Sequence, residues 1–314
     1  MQKKSVVTIV FFLLLSSAFS LFAQSVSPSK IKLRLNLEKN DHFTISYFAH
    51  QDISQVLMET EQNINQTIGM YYTYDVLEAD AKSYEIKVTY SRVIFNQDGV
   101  TGSTRFDSDS IVETVPPAAK GFAALAGQSF FMTITPMGEV TEVKGIDQML
   151  DNMLVSFEGL DTETRQSLST SLKNQYGDEN TRATMQNLMA IYPRKKVGIG
   201  DEWTRVTTIN QGFPITMETS YKVKALDQNQ ATLEVFSKMA SNPDVPMEMM
   251  GMRLAYQLAG SQQGEILLNP RNGWTIRTSI NQDLSGEVNL TSDLLPEGQR
   301  WPITMVSEYE IITE

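Results

Sequence analysis

One strand pattern recurs in this sequence, and it restricts the fold more than any other feature. Phe213-Pro214-Ile215-Thr216-Met217-Glu218-Thr219-Ser220-Tyr221-Lys222-Val223 returns as Trp301-Pro302-Ile303-Thr304-Met305-Val306-Ser307-Glu308-Tyr309-Glu310-Ile311. A fainter copy runs Ile68-Gly69-Met70-Tyr71-Tyr72-Thr73-Tyr74-Asp75-Val76. The copies share Ile-x-Met-x-x-x-Tyr-x-(Val/Ile), with every shared position on one parity. Side chains alternate between the faces of a strand, so the shared residues line one face, and Thr, Glu and Lys mostly take the other. Each copy reads as a strand of a half-buried antiparallel sheet.

The two earlier copies extend into longer units. At one ungapped offset Asp80 falls on Asp227, Ile86 on Leu233 and Val88 on Val235. Polar turn formers lie between, so each unit contains a β-hairpin. Upstream, Asn40-Asp41-His42-Phe43-Thr44 resembles Gly200-Asp201-Glu202-Trp203-Thr204; downstream, Leu125-Ala126-Gly127 with Pro136 resembles Leu258-Ala259-Gly260 with Pro270. Landmarks in the same order predict a duplicated β-unit, with Phe43 and Trp203 as buried aromatic anchors at the start of each.

Alternation over Ile31–Leu37 and again over Phe43–Tyr47, across Lys39-Asn40-Asp41, predicts a first hairpin, and Phe48–Asp52 reads as a bend. Residues 51–68 read as strand; Tyr84–Phe95 is a long strand that ends in a turn at Asn96–Gly99. Pro116-Pro117 opens a short helix, Ala118–Ala126, stopped by Gly127. A hairpin follows across Met137-Gly138. Its counterpart in the second unit is a helix over Pro246–Leu258, then strands Ile266–Pro270 and Trp274–Ile280 across the turn dipeptide Asn272-Gly273. Between the units, Ile146, Met149, Leu150, Met153, Leu154 and Phe157 recur at helical spacing. Asp161 caps a second helix that Gly177 stops, and a third carries Met185, Leu188, Met189 and Tyr192 before Pro193. Such an insertion packs across the sheet and covers its apolar face.

These elements give the expected organisation: an α+β, mainly antiparallel fold, in which duplicated units form a curved sheet or half-barrel. Residues 1–23 are a signal peptide, 24–144 the first β-rich unit and 145–192 the helical insertion. Residues 193–314 are the second unit, with closing strand 303–313, and the whole is one structural domain. The signal peptide rests on Lys3 and Lys4, the apolar run Val6–Leu15 and a cleavage site near Ala23. That run is too short for a membrane span. Localisation follows: export, to the periplasm or outside the cell. The absence of cysteine excludes disulfides, a thiol nucleophile, a Cys-based metal site and N-terminal acyl-Cys anchoring. A net charge of −11 argues against nucleic acid, whose phosphates need clustered Lys and Arg.

Chemistry is sparsely represented. His42 and His50 are the only imidazoles, eight residues apart with no third ligand at metal spacing. No nucleophile elbow, zinc-protease or phosphate-loop motif occurs, so we expect no catalytic residue, no metal and no cofactor. Met247, Met249, Met250 and Met252, with Met239 nearby, form a cluster whose thioethers suit core packing, an apolar ligand or soft Cu(I), in that order. Asp109-Ser110-Ile111 resembles a short bacterial O-glycosylation acceptor. The expected ligand lining is Met149, Met153, Phe157, Met185, Met189, Met247, Met250, Tyr221 and Tyr309.

The leader, Gly200-Asp201-Glu202-Trp203-Thr204, the Tyr221 hairpin and Leu258-Ala259-Gly260…Gly264-Glu265-Ile266 together are similar to a family of uncharacterised exported bacterial proteins. The resemblance covers most of the mature chain and, the family being a domain of unknown function, implies no catalytic residues. The layout also resembles periplasmic lipoprotein carriers of half-barrel fold, by fold analogy alone, without their lipid-anchor Cys and with the helices in one central insertion. The function expected is non-enzymatic binding of an apolar or lipid-like molecule between sheet and helices. The alternative is a structural or protein-interaction module of the envelope with a packed core.

Overall fold

The computed structural model describes residues 30–314 except 58, 101, 112, 156–158, 160, 190, 210–213, 250–251 and 293–294. Residues 1–29, on which the expected signal peptide falls, and Phe157 and Met250 thus lie outside the described residues. Strands β1 (His42–Leu57), β2 (Thr60–Ala79), β3 (Tyr84–Gly99), β4 (Gly102–Asp107), β5 (Ser129–Ile134) and β6 (Val140–Lys144) make the first half. The second holds β7 (Glu202–Ile209), β8 (Ile215–Leu226), β9 (Ala231–Ser241), β10 (Met247–Met249), β11 (Met252–Leu268), β12 (Thr275–Ser292) and β13 (Leu295–Thr313). A 3-10 turn at Pro117–Ala119 runs into helix α1 (Lys120–Ala123). Helices α2 (Ile146–Val155), α3 (Thr162–Tyr176) and α4 (Asp178–Met189) lie between β6 and β7.

All strands join one 13-stranded antiparallel sheet in the order β6-β5-β3-β2-β1-β13-β12-β11-β9-β8-β7, with β4 against β3 and β10 against β11. The last strand, β13, pairs with the first, β1, so the two halves of the chain meet in mid-sheet. The sheet is open but strongly curved, because α4 packs against both of its end strands, β6 and β7. A helix is only about 10–12 Å across with its side chains, so the two edges approach to roughly that distance. At the β6 edge, Val140 N–H donates to Gln186 Oε1 at 2.7 Å and Arg182 Nη1 donates to Val140 O at 3.3 Å. Side chains of α4 thereby satisfy an edge that would otherwise offer itself to another strand. Gln186→Ala should leave a half-buried backbone N–H without its acceptor, at a cost of about 1–3 kcal/mol. A denaturation midpoint unchanged from wild type would contradict that role.

One core runs through both halves. Leu33 (1% exposed) and Leu35 join Ile86, Val88, Phe130, Met132 and Ile134 of the first half and Val223, Leu233, Val235 and Leu268 of the second. Phe43 stacks on Trp274 at 4.1 Å, and Trp203 on Tyr221 at 5.5 Å; both pack against this core, but as half-buried residues and not the buried anchors expected. The indole of Trp203 also donates to Ile191 O at 3.0 Å.

The turns of the two halves share geometry in detail. Asp80 Oδ1 accepts from Lys82 N–H at 2.6 Å and Ser83 N–H at 2.8 Å; Asp227 Oδ1 accepts from Asn229 N–H at 2.7 Å and Gln230 N–H at 2.9 Å. At the strand entries Asp41 and Asp201 each accept a backbone N–H three residues upstream, both at 2.8 Å. The residue before each, Asn40 (φ 72) and Gly200 (φ 86), is left-handed, which Asn and Gly tolerate. These bonds hold Asp80, Asp201 and Asp227 below the usual carboxylate range, through backbone N–H donors for Asp80 and Asp227 and chiefly Lys30 for Asp201. A depressed pKa contributes stability above the unfolded value, about 3.9, that is lost as pH falls through the folded one. The denaturation midpoint should therefore drop on acidification below about pH 4, and Asp80→Ala with Asp227→Ala should flatten that drop.

Several expectations need correction. Residues 31–37 alternate as expected, with Leu33, Leu35 and Leu37 buried, but they pair with no neighbour along β1. They cross the core instead, held by an isolated bridge of Ile31 to Val197 and by Leu35 N–H to Pro136 O and Asn36 N–H to Asn272 O, each 2.8 Å. Alternation reports the buried face and is silent about the partner. The expected bend at Phe48–Asp52 is straight strand within β1, and the expected turn at Asn96–Gly99 belongs to β3. The helix expected over Pro246–Leu258 is strand: β10 and the start of β11, paired Met247 to Leu254. Its apolar residues sit at helical spacing, but cross-strand pairing with β12 and β9 overrides a short periodic signal.

Candidate functional site: the inner face of the sheet

Strand parity and register order the inner face into rows. Tyr221 and Tyr309 lie in one row, joined through Val235, Gly264 and Ile280; Met217 and Met305 lie in another, joined through Met239, Gly260 and Leu284. The two strong copies of the repeated motif thus stand at the same level on the same face. The faint copy shares the face but is displaced, because Ile68, through Ala49, meets Tyr309 instead of Ile303. At Gly260 the β11 and β12 backbones approach so closely that a Cβ would come 2.0 Å from Asp283 O.

Between these two rows runs a third that is polar from end to end. From β4 to β7 it reads Thr104, Gln97, Gln66, Gln51, Ser307, Gln282, Gln262, Ser237, Thr219 and Arg205, each directly opposite the next. Gln97 Nε2 donates to Gln66 Oε1 at 3.3 Å, and Gln66 Nε2 to Gln51 Oε1 at 3.0 Å. From the other side Gln262 Nε2 donates to Gln282 Oε1 at 2.6 Å, and Thr219 and Ser237 share a hydroxyl bond of 2.9 Å. Arg205 ends the row with Nη2 on Tyr192 O at 2.5 Å. Ser307, Ser237, Thr219 and Gln282 are 1–5% exposed, so the belt is interior. Ser307 Oγ has no hydrogen-bond partner among the described residues.

Tyrosines crowd the side of the belt facing the main core. Tyr47 stacks on Tyr309 at 6.5 Å, and Tyr72 meets Tyr90 at 5.0 Å with the rings tilted by 51°. Burial pushes the phenols of Tyr47, Tyr72 and Tyr74 far up, and that of Tyr90 up to about 12. Tyr47, Tyr72 and Tyr90 nonetheless keep part of their surface accessible.

Beyond the belt lies a second apolar cluster. Ile215, Met239, Leu258 and Leu284 are buried there, and Met217, Tyr256, Ile303 and Met305 pack on them while staying half-exposed. Tyr256 has a raised phenol pKa, through burial first and Tyr176 of α3 second.

The expected lining residues are not gathered in one place. Met149 is buried in the main core, with Met153, Met185 and Met189 packed against it. Tyr221 is buried in the same core and Tyr309 is half-buried on β13, while Met247 is half-exposed on β10. The polar belt was missed by the reading of the sequence, although Thr219 and Ser307 occupy the inward parity of both strong motif copies. His42 and His50 bond Asp75 (2.7 Å) and Thr67 (2.9 Å) and are about 26 Å apart along one strand. Among the described residues no group of His, Cys, Asp and Glu is placed to hold a metal ion. A separate open recess of about 500 Å3 lies among the turns, lined by Arg34, Glu38, Lys39, Asp80 and Tyr84, with charges of both signs.

The fold and its inner face define a class: a mainly antiparallel curved-sheet protein with few helices and a layered interior. The chain belongs to DUF6263, a family of unknown function, matched over residues 81–275. No curated protein matches it. Among solved structures it is similar to an outer membrane channel from Pseudomonas putida F1, at 6% identity and TM-score 0.25, over 89% of this chain and 97% of that one. It is also similar to OccK7 (OpdD) of Pseudomonas aeruginosa, at 6% identity and TM-score 0.20, over 88% of this chain and 100% of that one. Likeness at these scores carries no argument about function.

Proposed function

We propose that this is an exported, non-enzymatic protein that binds an apolar or lipid-like ligand inside its curved sheet. In this reading it is a half-barrel of two duplicated units, with the helices of about 145–192 inserted between them. The observation that carries it is the second apolar cluster, where Met217, Tyr256, Ile303 and Met305 stay half-exposed on the inward face. Apolar surface kept open on a concave face marks a binding site, and methionine adapts to varied apolar shapes. These strand residues join the expected lining, of which Met153, Met185 and Met189 are likewise only half-buried. The outward face carries cross-strand charges such as Arg277 with Glu310 at 2.5 Å and Lys222 with Glu202 at 2.9 Å. Charge on that face supports a protein that works in water, since strands facing lipid carry an apolar band.

Saturating phospholipid or fatty acid should raise the melting temperature, because a ligand that binds only the folded state stabilises it by mass action. Met305→Asp should abolish the shift. The alternative, an interaction module of the envelope, is favoured by Met149 and Tyr221, which already fill a packed core. No shift, with no uptake of a fluorescent lipid probe, would leave that second reading. Export is tested by fractionating the host and sequencing the mature N-terminus, expected just after Ala23.

A further inference from the structure

The polar belt and the second apolar cluster are adjacent on one face, and the centre of the belt is incompletely bonded. Glutamine chains run in from both sides toward Ser307: Gln97 to Gln66 to Gln51 from one, Gln262 to Gln282 from the other. They do not close. The Gln51 amide nitrogen reaches only Met305 Sδ at 3.9 Å, a long contact to a weak acceptor. Ser307 Oγ is buried without a partner, and among the described residues nothing accepts from the Gln282 amide nitrogen. Because Gln51 and Gln282 both flank Ser307 in register, these groups span about 10 Å. Buried polar groups are ordinarily bonded, so the unfilled Ser307 hydroxyl in mid-sheet points to a ligand.

We propose that Gln51, Ser307 and Gln282 form the polar subsite of the inner face and take the ester or amide carbonyl of an uncharged amphiphile, its chain lying along Met305 and Ile303. This rests on the apolar-ligand reading and narrows it. The donors are neutral amides and a hydroxyl, which suit a carbonyl oxygen. A carboxylate in the same place would be desolvated with no cation beside it. The cation of the row, Arg205, lies five strands from Ser307 in the order β13-β12-β11-β9-β8-β7, and its guanidinium donates to Tyr192 O. The desolvated tyrosines on the opposite side of the belt keep the subsite in a low-dielectric interior, where each hydrogen bond counts for more.

The test compares 1-oleoylglycerol with oleate at pH 8, each displacing a fluorescent lipid probe from the intact mature protein. The glycerol ester should bind at least about tenfold tighter than oleate, one charge-free hydrogen-bonded carbonyl being worth about 1.4 kcal/mol or more. Gln282→Leu should lower the affinity for the glycerol ester and erase that preference, and Met305→Asp should weaken both lipids. If Gln282→Leu does not fold, Ser307→Ala serves: it removes an unpartnered hydroxyl, should keep the melting temperature, and should lower ester affinity alone. Equal affinity for both lipids, indifferent to Gln282 and Ser307, overturns the polar subsite and leaves the apolar reading intact. Binding of neither lipid overturns both.

Discussion

Raising the pH past about 10 should unfold this protein in one cooperative step, with its interior tyrosines ionising only as it unfolds. Burial is the largest cause of the raised phenol pKa at Tyr47, Tyr72, Tyr74, Tyr90, Tyr192 and Tyr221. Of these, Tyr90 and Tyr221 are pushed up to about 12 and the others higher or further up. The sign follows from linkage. A phenol whose folded pKa lies above its unfolded value contributes stability that is complete below about pH 10 and is lost as pH rises toward the folded pKa. Each such group costs roughly 1.4 kcal/mol per pH unit in that window. With these phenols acting in the same direction, stability falls steeply across that window. The tyrosinate absorbance of these six phenols should therefore appear together with the loss of far-ultraviolet circular dichroism. Tyrosinate absorbance equal to that of all eleven tyrosines with the secondary structure still intact would show these phenols in contact with solvent and sink the idea of a desolvated interior.

Replacing Trp274 by alanine should destabilise the protein by about 3–5 kcal/mol, more than any substitution at Trp203. Trp274 is 4% exposed, whereas Trp203 is half-buried. Its ring stacks on Phe43 of β1 at 4.1 Å and meets Tyr74 of β2 edge-on at 5.5 Å. It follows the Asn272-Gly273 turn, which accepts the Tyr192 hydroxyl at Gly273 O, 3.0 Å away. One side chain therefore ties the second half of the chain to the first two strands and to the segment leaving α4. The indole N–H is itself buried without a partner, so Trp274→Phe should cost far less than Trp274→Ala, since it trades ring size against removal of an orphan donor. Chemical denaturation of the two variants separates the outcomes. A loss for Trp274→Phe equal to that for Trp274→Ala would mean the indole nitrogen is bonded after all.

Much of the inner face was legible as a periodic signal. Ile215, Met217, Tyr221 and Val223 sit on one parity and do share a face with Met305, Tyr309 and Ile311, because the two-residue repeat of a strand is fixed by local stereochemistry. The turns at Asp80 and Asp227 and the likeness of the Asn40-Asp41 and Gly200-Asp201 strand entries were legible for the same reason: they are closed by neighbours within a few residues. The belt was not. Gln51, Gln66, Gln97, Gln262 and Gln282 look like scattered polar residues along their strands, and only the register of many strands turns them into a row.

What the sequence by itself determined is therefore local: which residues make strand, which turns close them, which parity goes inward and where the helices between β6 and β7 begin. Those features depend on interactions over a few residues, which the order of side chains encodes directly. The tertiary structure alone decided that β13 returns to β1, that residues 31–37 cross the core instead of joining a hairpin, and that 252–258 is strand and not helix. It also decided that Met149 is buried in the main core, while Met217 and Met305 border a second cluster across the belt. Each of these depends on contacts between residues far apart in the chain, and an alternating or helical pattern names a buried face without naming what it is buried against.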